Sequence, residues 1–256
     1  MKTLTAFMKK EILEHLRSGR LVILGLLFLL LGVMNPAVAR LTPWLLELMA
    51  DDLSQSGMVI TGVTVTAIDA WVQFFKNAPI GLIAFVLMES GIFTREYQSG
   101  TLVLSLTKGL PRWQVVAAKA AMLLLLWTIG FWAVFGITYG YSAWYWDNAV
   151  AQNLLFAAAC WWLFGLWVNA LLTLFSVIAR SNTVVLTGTG GVVLAAALLG
   201  MLPKLNEYSP ATLTGGSALI SGAAEPSAFV AAVIIAALTG ALFLATSVPL
   251  FNKKHL

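Results

Sequence analysis

Few residues in this chain are of a type and spacing that could carry out covalent chemistry. The two histidines, His15 and His255, lie near the ends of the sequence and do not form the H-E-x-x-H pattern of a zinc protease. The sequence contains neither a G-x-S-x-G nucleophile elbow nor a G-x-x-x-x-G-K-[ST] phosphate-binding loop. The single cysteine, Cys160, excludes a disulfide framework and is expected to be an inert packed thiol. The sequence therefore predicts no catalytic residue, no metal site and no cofactor of its own.

A few polar side chains interrupt the long apolar stretches. Glu89 is the one ionisable residue clearly inside such a stretch, and charge within hydrocarbon is costly enough to suggest a function. Because the stretch ends at Phe93, Glu89 either reaches interfacial water or pairs with Arg95, or else it contributes to the passage of a substrate or ion. Asn35 and Asn169 leave the same choice open, since they could form hydrogen bonds between helices or line a path.

The composition identifies the environment of these residues as lipid. Hydrophobic residues make up 60% of the 256 positions and charged residues only 10%, whereas about a quarter of an average soluble domain is charged. A helix needs about 20 apolar residues to cross the hydrocarbon core. The stretches that meet this requirement are 21–39, 77–93, 120–139, 153–178, 183–202 and 228–250. We therefore expect an all-α integral membrane protein with six transmembrane helices in a single domain, 1–256.

The positions of charged residues predict the orientation of these spans. Twelve of the 15 Lys and Arg residues lie in the N-terminal segment, between the second and third stretches, after the fourth, or after the sixth. Only Arg40, Lys76 and Lys204 lie on the other side, together with most of the acidic residues. Since Lys and Arg accumulate in short cytoplasmic segments, both termini are expected to be cytoplasmic. No basic run accompanies the net charge of +4, so no nucleic-acid partner is expected.

The segments outside the apolar stretches have patterns of their own. Residues 1–20 carry apolar side chains at a spacing of four, which predicts an amphipathic helix in the membrane interface or against a partner protein. These side chains are Leu4, Met8, Ile12 and Leu16. On the outer side, residues 41–76 are predicted to form short helices. Residues 203–226, rich in Gly, Ser, Thr and Pro, are predicted to form turns or a partly re-entrant excursion.

The segment between the second and third stretches, 94–119, has the most distinctive pattern. Three leucines alternate with small or polar residues, and Gly109 and Pro111 then interrupt the chain before a new helix begins. A short helix, a break and a second helix would project from the membrane as a compact cytoplasmic knob. This shape predicts a docking site for a cytoplasmic partner.

The same segment resembles part of the permease subunits of ABC-2 exporters, which reads approximately E-x-x-x-G-T-L-x-x-L-L-x-x-P-x-x-R-x-x-x-x-x-x-K. The matching residues are Glu96, Gly100, Thr101, Leu102, Arg112 and Lys119. Two positions depart from the pattern: Gly109 stands where proline is usual, with Pro111 following, and Val103 stands where an acidic residue is common. The N-terminal helix, the six spans and the outer excursion before the last span extend the resemblance over the whole chain.

The resemblance implies a permease subunit without its own ATPase, in a bacterial-type inner membrane. Such subunits work as dimers of identical or paralogous copies, bound to two separate ABC ATPase subunits that hold ATP and Mg²⁺. Residues 1–20 would form a connecting helix along the membrane. The knob would contain the coupling helix that rests on the ATPase. Its coupling residues would be Glu96, Gly100, Thr101, Leu102, Gly109, Pro111 and Arg112.

Two other functions stay open from the sequence. A membrane anchor or sensor for a cytoplasmic ATPase would transport nothing itself. An ion-coupled secondary transporter would show inverted repeats and charged or unwound sites at the bilayer midplane; the sequence shows no such repeat, and Glu89 lies near one end of its stretch. The resemblance favours an ATP-driven exporter and leaves the transported substrate open.

Overall fold

The computed structural model describes residues 2–49, 64–107 and 109–254. Within these ranges the chain forms helices and no strand, and six helices are long and apolar enough to cross a membrane. This confirms the predicted all-α membrane fold and its six spans. The six helices are α2 (Arg20–Leu48), α3 (Ala67–Glu89), α6 (Arg112–Tyr145), α7 (Leu154–Ile178), α8 (Asn182–Gly200) and α10 (Val230–Lys253). The shorter helices are α1 (Lys2–Arg17), α4 (Thr94–Ser99), α5 (Thr101–Thr107) and α9 (Gly216–Ile220).

Several helices extend beyond the apolar stretches that predicted them. Residues 41–48 continue α2 and residues 67–76 begin α3, although both belong to the predicted outer loop. A helix ends where its terminal backbone groups find other partners, and this need not be where hydropathy falls. At the start of α3, a capping box supplies those partners, with the Thr66 backbone N–H donating to Asp69 Oδ2 at 2.8 Å. Any further outer helix within residues 50–63 lies outside the described residues.

Helix α7 lies at the centre of the bundle and packs against α3, α6, α8 and α10. The α6–α7 contact is built around tryptophan: the Trp127 indole N–H donates to the Trp162 carbonyl at 3.1 Å, and the Trp162 indole N–H donates to Thr128 Oγ1 at 3.1 Å. A Cβ at Gly165 would overlap the Trp127 ring, so these helices approach closely because that residue is glycine. This packed core fixes the positions of the helix ends.

The two ends of the bundle are built differently. At one of them, which we call the α1 end, α1 packs against α2 and α6, and Tyr97 of α4 and Arg112 of α6 contact residues at the end of α10. At the opposite end, short 3₁₀ helices surround α9 within residues 206–229. There the Trp161 indole N–H donates to the Thr214 carbonyl at 2.9 Å, and Leu219 is fully buried. The segment predicted as turns or a partly re-entrant excursion therefore packs back onto α7.

Candidate functional site

The segment predicted to dock a partner lies at the α1 end and contains two short helices. Helix α4 ends at Gly100, which has a φ of 71°, and α5 ends before Gly109, which has a φ of 86°. Both values lie in the left-handed region, where glycine is favoured because it has no Cβ. Pro111 then lies in the extended conformation immediately before α6. The chain therefore breaks twice, at Gly100 as well as at the predicted position around Gly109 and Pro111.

One face of this segment is buried and the other is exposed. Thr94, Glu96 and Leu102 are buried against the bundle. The exposed side presents large apolar side chains, with Leu104 62% and Trp113 50% exposed. Other exposed residues of the segment are Val103, Arg95, Gln98 and Thr101. We call Val103, Leu104 and Trp113 the outer apolar face.

A buried cluster of charges supports this segment from behind. Lys119, near the start of α6, places its Nζ 3.1 Å from Glu96 Oε2 and 3.1 Å from both carboxylate oxygens of Glu11. The same ammonium donates to the Ile92 carbonyl at 2.9 Å. Lys119, Glu11 and Glu96 are all buried, so each charge depends on the others for the hydrogen bonds that water would otherwise supply. Lys10 joins the group through Glu96, and we call these four residues the N-terminal cluster.

The position of Lys10 distinguishes an ion-pair cluster from a metal site. The carboxylates of Glu11, Glu14 and Glu96 could each direct an oxygen to a common point. The Lys10 ammonium contacts all three, at 3.2 Å from Glu11 and 3.1 Å from Glu14. Burial opposes the charge of Lys10, but the hydrogen bond to Glu96 and the charges of Glu11 and Glu96 raise its pKa above the ordinary lysine value. The cation among these carboxylates is therefore a lysine side chain.

His15 pairs with the acidic residue singled out in the second span. His15 Nε2 lies 2.9 Å from Glu89 Oε2, and Nδ1 lies 2.9 Å from the Glu11 carbonyl oxygen. Both ring nitrogens thus face acceptors, an arrangement that suits the protonated imidazole. Burial lowers the pKa of His15, and the charge of Arg20 also opposes protonation. The Glu89 carboxylate outweighs both and raises the pKa overall. Glu89 is 0% exposed, so its partner is His15 rather than interfacial water or Arg95.

Helix α1 packs against the bundle through a face next to its apolar one, and the predicted contact of the apolar face with the membrane interface or a partner protein stays a prediction. Ile12 and Leu16 are exposed, whereas Phe7, Glu11 and His15 are buried. The buried residues also recur every four positions, on a neighbouring face of the same helix. Two ionisable groups on a face normally argue for solvent. Here they face inward because distant parts of the chain supply charges for them.

A second group of contacts supports the segment from the C-terminal side. The Arg112 guanidinium donates to the carbonyls of Phe251, Asn252 and Lys254, at 2.8, 3.0 and 2.8 Å. A cation at the carboxyl end of a helix satisfies its unpaired carbonyls and complements its dipole. Arg112, at the start of α6, thus caps the end of α10.

Lys254 repeats this arrangement on another helix. Its ammonium donates to the carbonyls of Val177, Ile178 and Ala179, at 2.6, 3.3 and 2.7 Å, and so caps the end of α7. It also lies 3.9 Å from the centre of the Tyr97 ring in α4. Burial, assisted by the charge of Arg180, lowers the pKa of Lys254 to about 8.

We call Tyr97, Arg112 and residues 251–254 the C-terminal cap. Within it, Phe251 is fully buried, and its ring lies edge-on to Phe93 with the ring centres 6.0 Å apart. The predicted docking segment is thus held by charges on one side and by capped helix ends on the other.

The other predicted polar residues have separate partners inside the bundle. Asn77 Nδ2 donates to Asn35 Oδ1 at 2.8 Å, and Asn35 Nδ2 donates to Thr138 Oγ1 at 3.1 Å, which links α2, α3 and α6. Asn169 Nδ2 donates to the Gly165 carbonyl of its own helix at 2.8 Å. Asn35, Glu89 and Asn169 are all fully buried, and the structure does not bring them into contact with one another.

Sequence reasoning missed Glu11, His15 and Lys254 as members of the site. The basic residues after α10 were interpreted only as markers of orientation, and a carbonyl cap leaves no sequence signal because its acceptors are backbone atoms. Lys119 was found only through the family pattern. Its pairing with Glu96 could have been inferred there, since both are charged positions in one motif.

The fold and the site define a class: a polytopic helical membrane protein with a partly exposed apolar segment, held at one end of the bundle by buried ion pairs and capped helix ends. The family model described as ABC-2 family transporter protein matches residues 5–254. The chain therefore belongs to the ABC-2 transporter family, and the resemblance drawn from its sequence is confirmed. It is a membrane component of a transporter, a permease, and not itself an ATPase. No curated protein and no solved structure gave a significant match.

Proposed function

We propose that the chain is the permease subunit of an ATP-driven exporter and that α4 and α5 couple it to a separate ATPase subunit. One observation carries the proposal: an apolar face is exposed on a segment whose opposite side is fixed by buried ion pairs. Large apolar side chains on a rigid support are what a protein partner recognises, since little order must be gained on binding.

The charge distribution supports the orientation that this function needs. The α1 end contains most of the Lys and Arg residues, which favours a cytoplasmic location for it, where an ATPase would meet it. The termini then lie on the cytoplasmic side of the inner membrane. ATP and Mg²⁺ would be held by the ATPase.

The proposed mechanism is a change of state driven by ATP. Two permease copies, each bound to one ATPase subunit, would enclose a path between them. Closure of the ATPase pair on ATP would displace α4 and α5 and favour a second arrangement of the spans. Such a shift requires that the ATPase bind the two arrangements with different affinity. The outer apolar face and the rigid contacts behind it provide a surface through which that difference could act.

The test is to purify the tagged chain from the organism that encodes it in mild detergent and to determine the composition and ATPase activity of the complex. We expect two permeases and two ATPase subunits. Trp113→Ser should weaken ATPase association about tenfold or more, as loss of a central aromatic contact usually does. The matched control is Trp144→Ser, because Trp144 lies at the opposite end of the same helix and is 82% exposed.

The outcomes separate the proposal from its alternatives. Loss of the ATPase in the Trp113 variant, with retention in the Trp144 variant, supports coupling at this segment. An equal loss in both variants would point to a general defect. A chain that purifies without an ATPase while a proton or sodium gradient drives flux in vesicles would overturn the proposal.

A further inference from the structure

The C-terminal cap connects the predicted coupling segment to two helices, α7 and α10, that do not adjoin it in the sequence. The segment continues directly into α3 on one side and α6 on the other. Helices α7 and α10 follow much later in the chain, yet carbonyls at the end of α10 accept from Arg112 and carbonyls at the end of α7 accept from Lys254. The Lys254 ammonium in turn lies against the Tyr97 ring of α4. The contact therefore joins the docking segment to the second half of the bundle.

The connection is a series of two cationic caps. Arg112 belongs to the first turn of α6 and holds the end of α10 through three carbonyls. Lys254 follows the end of α10 and holds the end of α7 through three more. Each cap fixes one helix end relative to another, because a single charged nitrogen lies within hydrogen-bond distance of three carbonyl oxygens, Nη1 in Arg112 and Nζ in Lys254.

We propose that the C-terminal cap is the connection through which displacement of α4 and α5 moves α7 and α10, with Lys254 as its positioning residue. The inference rests on the proposed function, because it presumes that ATP displaces the segment. Three features favour this route: the Tyr97 ring of α4 lies against the Lys254 ammonium, the Phe93 and Phe251 rings are packed, and Phe251 is fully buried. Without the cap, the segment would reach the second half of the bundle through the hydrogen bond from the Thr94 hydroxyl to the Asn182 side chain at the start of α8, and through side-chain packing deeper in the bundle.

The experiment uses two cysteine reporters in the purified permease–ATPase complex, made in a Cys160→Ala background. Gln98→Cys reports on the exposed face of α4, and Ser227→Cys reports on the opposite end of the bundle, just before α10. Labelling by a water-soluble maleimide is measured without nucleotide and with ATP and vanadate. In the otherwise unchanged chain, we expect ATP to alter both rates about fivefold, the lower end of the usual range for coupled sites.

Lys254→Met should abolish the ATP response at Ser227 and leave the response at Gln98 intact. Lys253→Met is the matched control, because Lys253 is exposed and its replacement removes the same charge one residue away. In this variant both reporters should still respond. Lys254→Arg should restore the response at Ser227, because it retains a multiply donating cation.

A milder pair of variants keeps the test decisive if Lys254→Met assembles poorly. Tyr97→Leu removes the ring beneath the ammonium and leaves the three carbonyl contacts, so it should reduce the response at Ser227. Tyr97→Phe keeps the ring and should leave that response unchanged.

The failures are distinguishable. If Ser227 responds equally in Lys254→Met and the unchanged chain, the inference is overturned while the proposed function stands. If Gln98 responds but Ser227 never does, ATP does not move α10 and the inference is again overturned. If neither reporter responds in the unchanged chain, the proposed coupling fails, and the inference fails with it.

Discussion

The predicted coupling segment is held by two supports of different chemistry. The N-terminal cluster joins side chain to side chain, with Lys119 between two buried carboxylates. The C-terminal cap joins side chain to backbone, with Arg112 and Lys254 directed at carbonyl oxygens. The first support depends on every charged partner being present. The second depends on helix ends being in place, whatever side chains those ends carry.

This difference predicts which of the two supports better tolerates the substitution of a side chain. Removal of one member of a buried ion pair leaves an uncompensated charge, which costs about 3–5 kcal/mol. Removal of a cap leaves carbonyls that water can reach in part, because the contacts of Arg112 lie at a half-buried helix end. We therefore expect the N-terminal cluster to determine whether α1 docks at all, and the C-terminal cap to determine how helix ends are aligned.

The largest predicted effect is that of Lys119→Met. The change leaves the buried Glu11 and Glu96 with Lys10 as the one cation of the cluster, so the free energy of unfolding should fall by up to about 3–5 kcal/mol. Thermal unfolding in detergent, followed by tryptophan fluorescence, measures the loss. Lys9→Met is the control, since Lys9 is exposed on the same end of the bundle. Equal midpoints for the two variants would contradict the importance of the cluster.

The second prediction concerns the other support. Arg112→Met should reduce the free energy of unfolding by about 2 kcal/mol, because it removes charge-assisted hydrogen bonds to three carbonyls. The end of α10 should lose more stability than the chain as a whole. Amide hydrogen exchange should therefore rise at residues 250–254. Lys253→Met should leave that exchange unchanged. A uniform rise over the whole of α10 would show that the cap does not act locally.

The third prediction uses pH. The pKa of His15 is raised above its ordinary value of 6.5 in the folded chain. The His15–Glu89 contact therefore adds stability that is fully present below pH 6.5 and is lost as the pH rises through the folded-state pKa. His15→Gln should lower the free energy of unfolding by about 1–2 kcal/mol at pH 6 and by less at pH 9. A loss of the same size at both pH values would show that the imidazole acts through packing alone.

The two supports also show how far the sequence could predict this molecule. Six apolar stretches predicted the spans because hydrocarbon thickness sets a length that hydropathy reveals. The break at Gly109 was predicted from the glycine and the proline that follows it, whereas Gly100 was named only through the family pattern and its break was not predicted. The pairing of His15 with Glu89 could not be predicted from the sequence, because 73 intervening residues separate them and only the folded bundle brings their side chains to 2.9 Å. The contacts of Arg112 and Lys254 could not be predicted for another reason: their acceptors are backbone carbonyls, which are the same in every sequence.

The smallest predicted effect tests the interior of the C-terminal cap. The Tyr97 hydroxyl oxygen is buried and has no hydrogen-bond partner among the described residues. A buried polar group without a partner destabilises the folded chain. Tyr97→Phe should therefore raise the free energy of unfolding, by about 1 kcal/mol at most, because the Lys254 ammonium contacts the ring and not the hydroxyl.

The matched variant is Tyr97→Leu, which removes the hydroxyl and the ring together. It should gain from loss of the buried hydroxyl and lose the cation–π contact, worth about 0.5–2 kcal/mol, so it should be less stable than Tyr97→Phe. Urea unfolding of the two variants in the same detergent provides the comparison. If Tyr97→Phe is instead the less stable of the two, the ring does not stabilise the cap, because the hydroxyl is missing from both variants and only the ring differs. The ring contact with Lys254 would then not be what joins α4 to the end of α10.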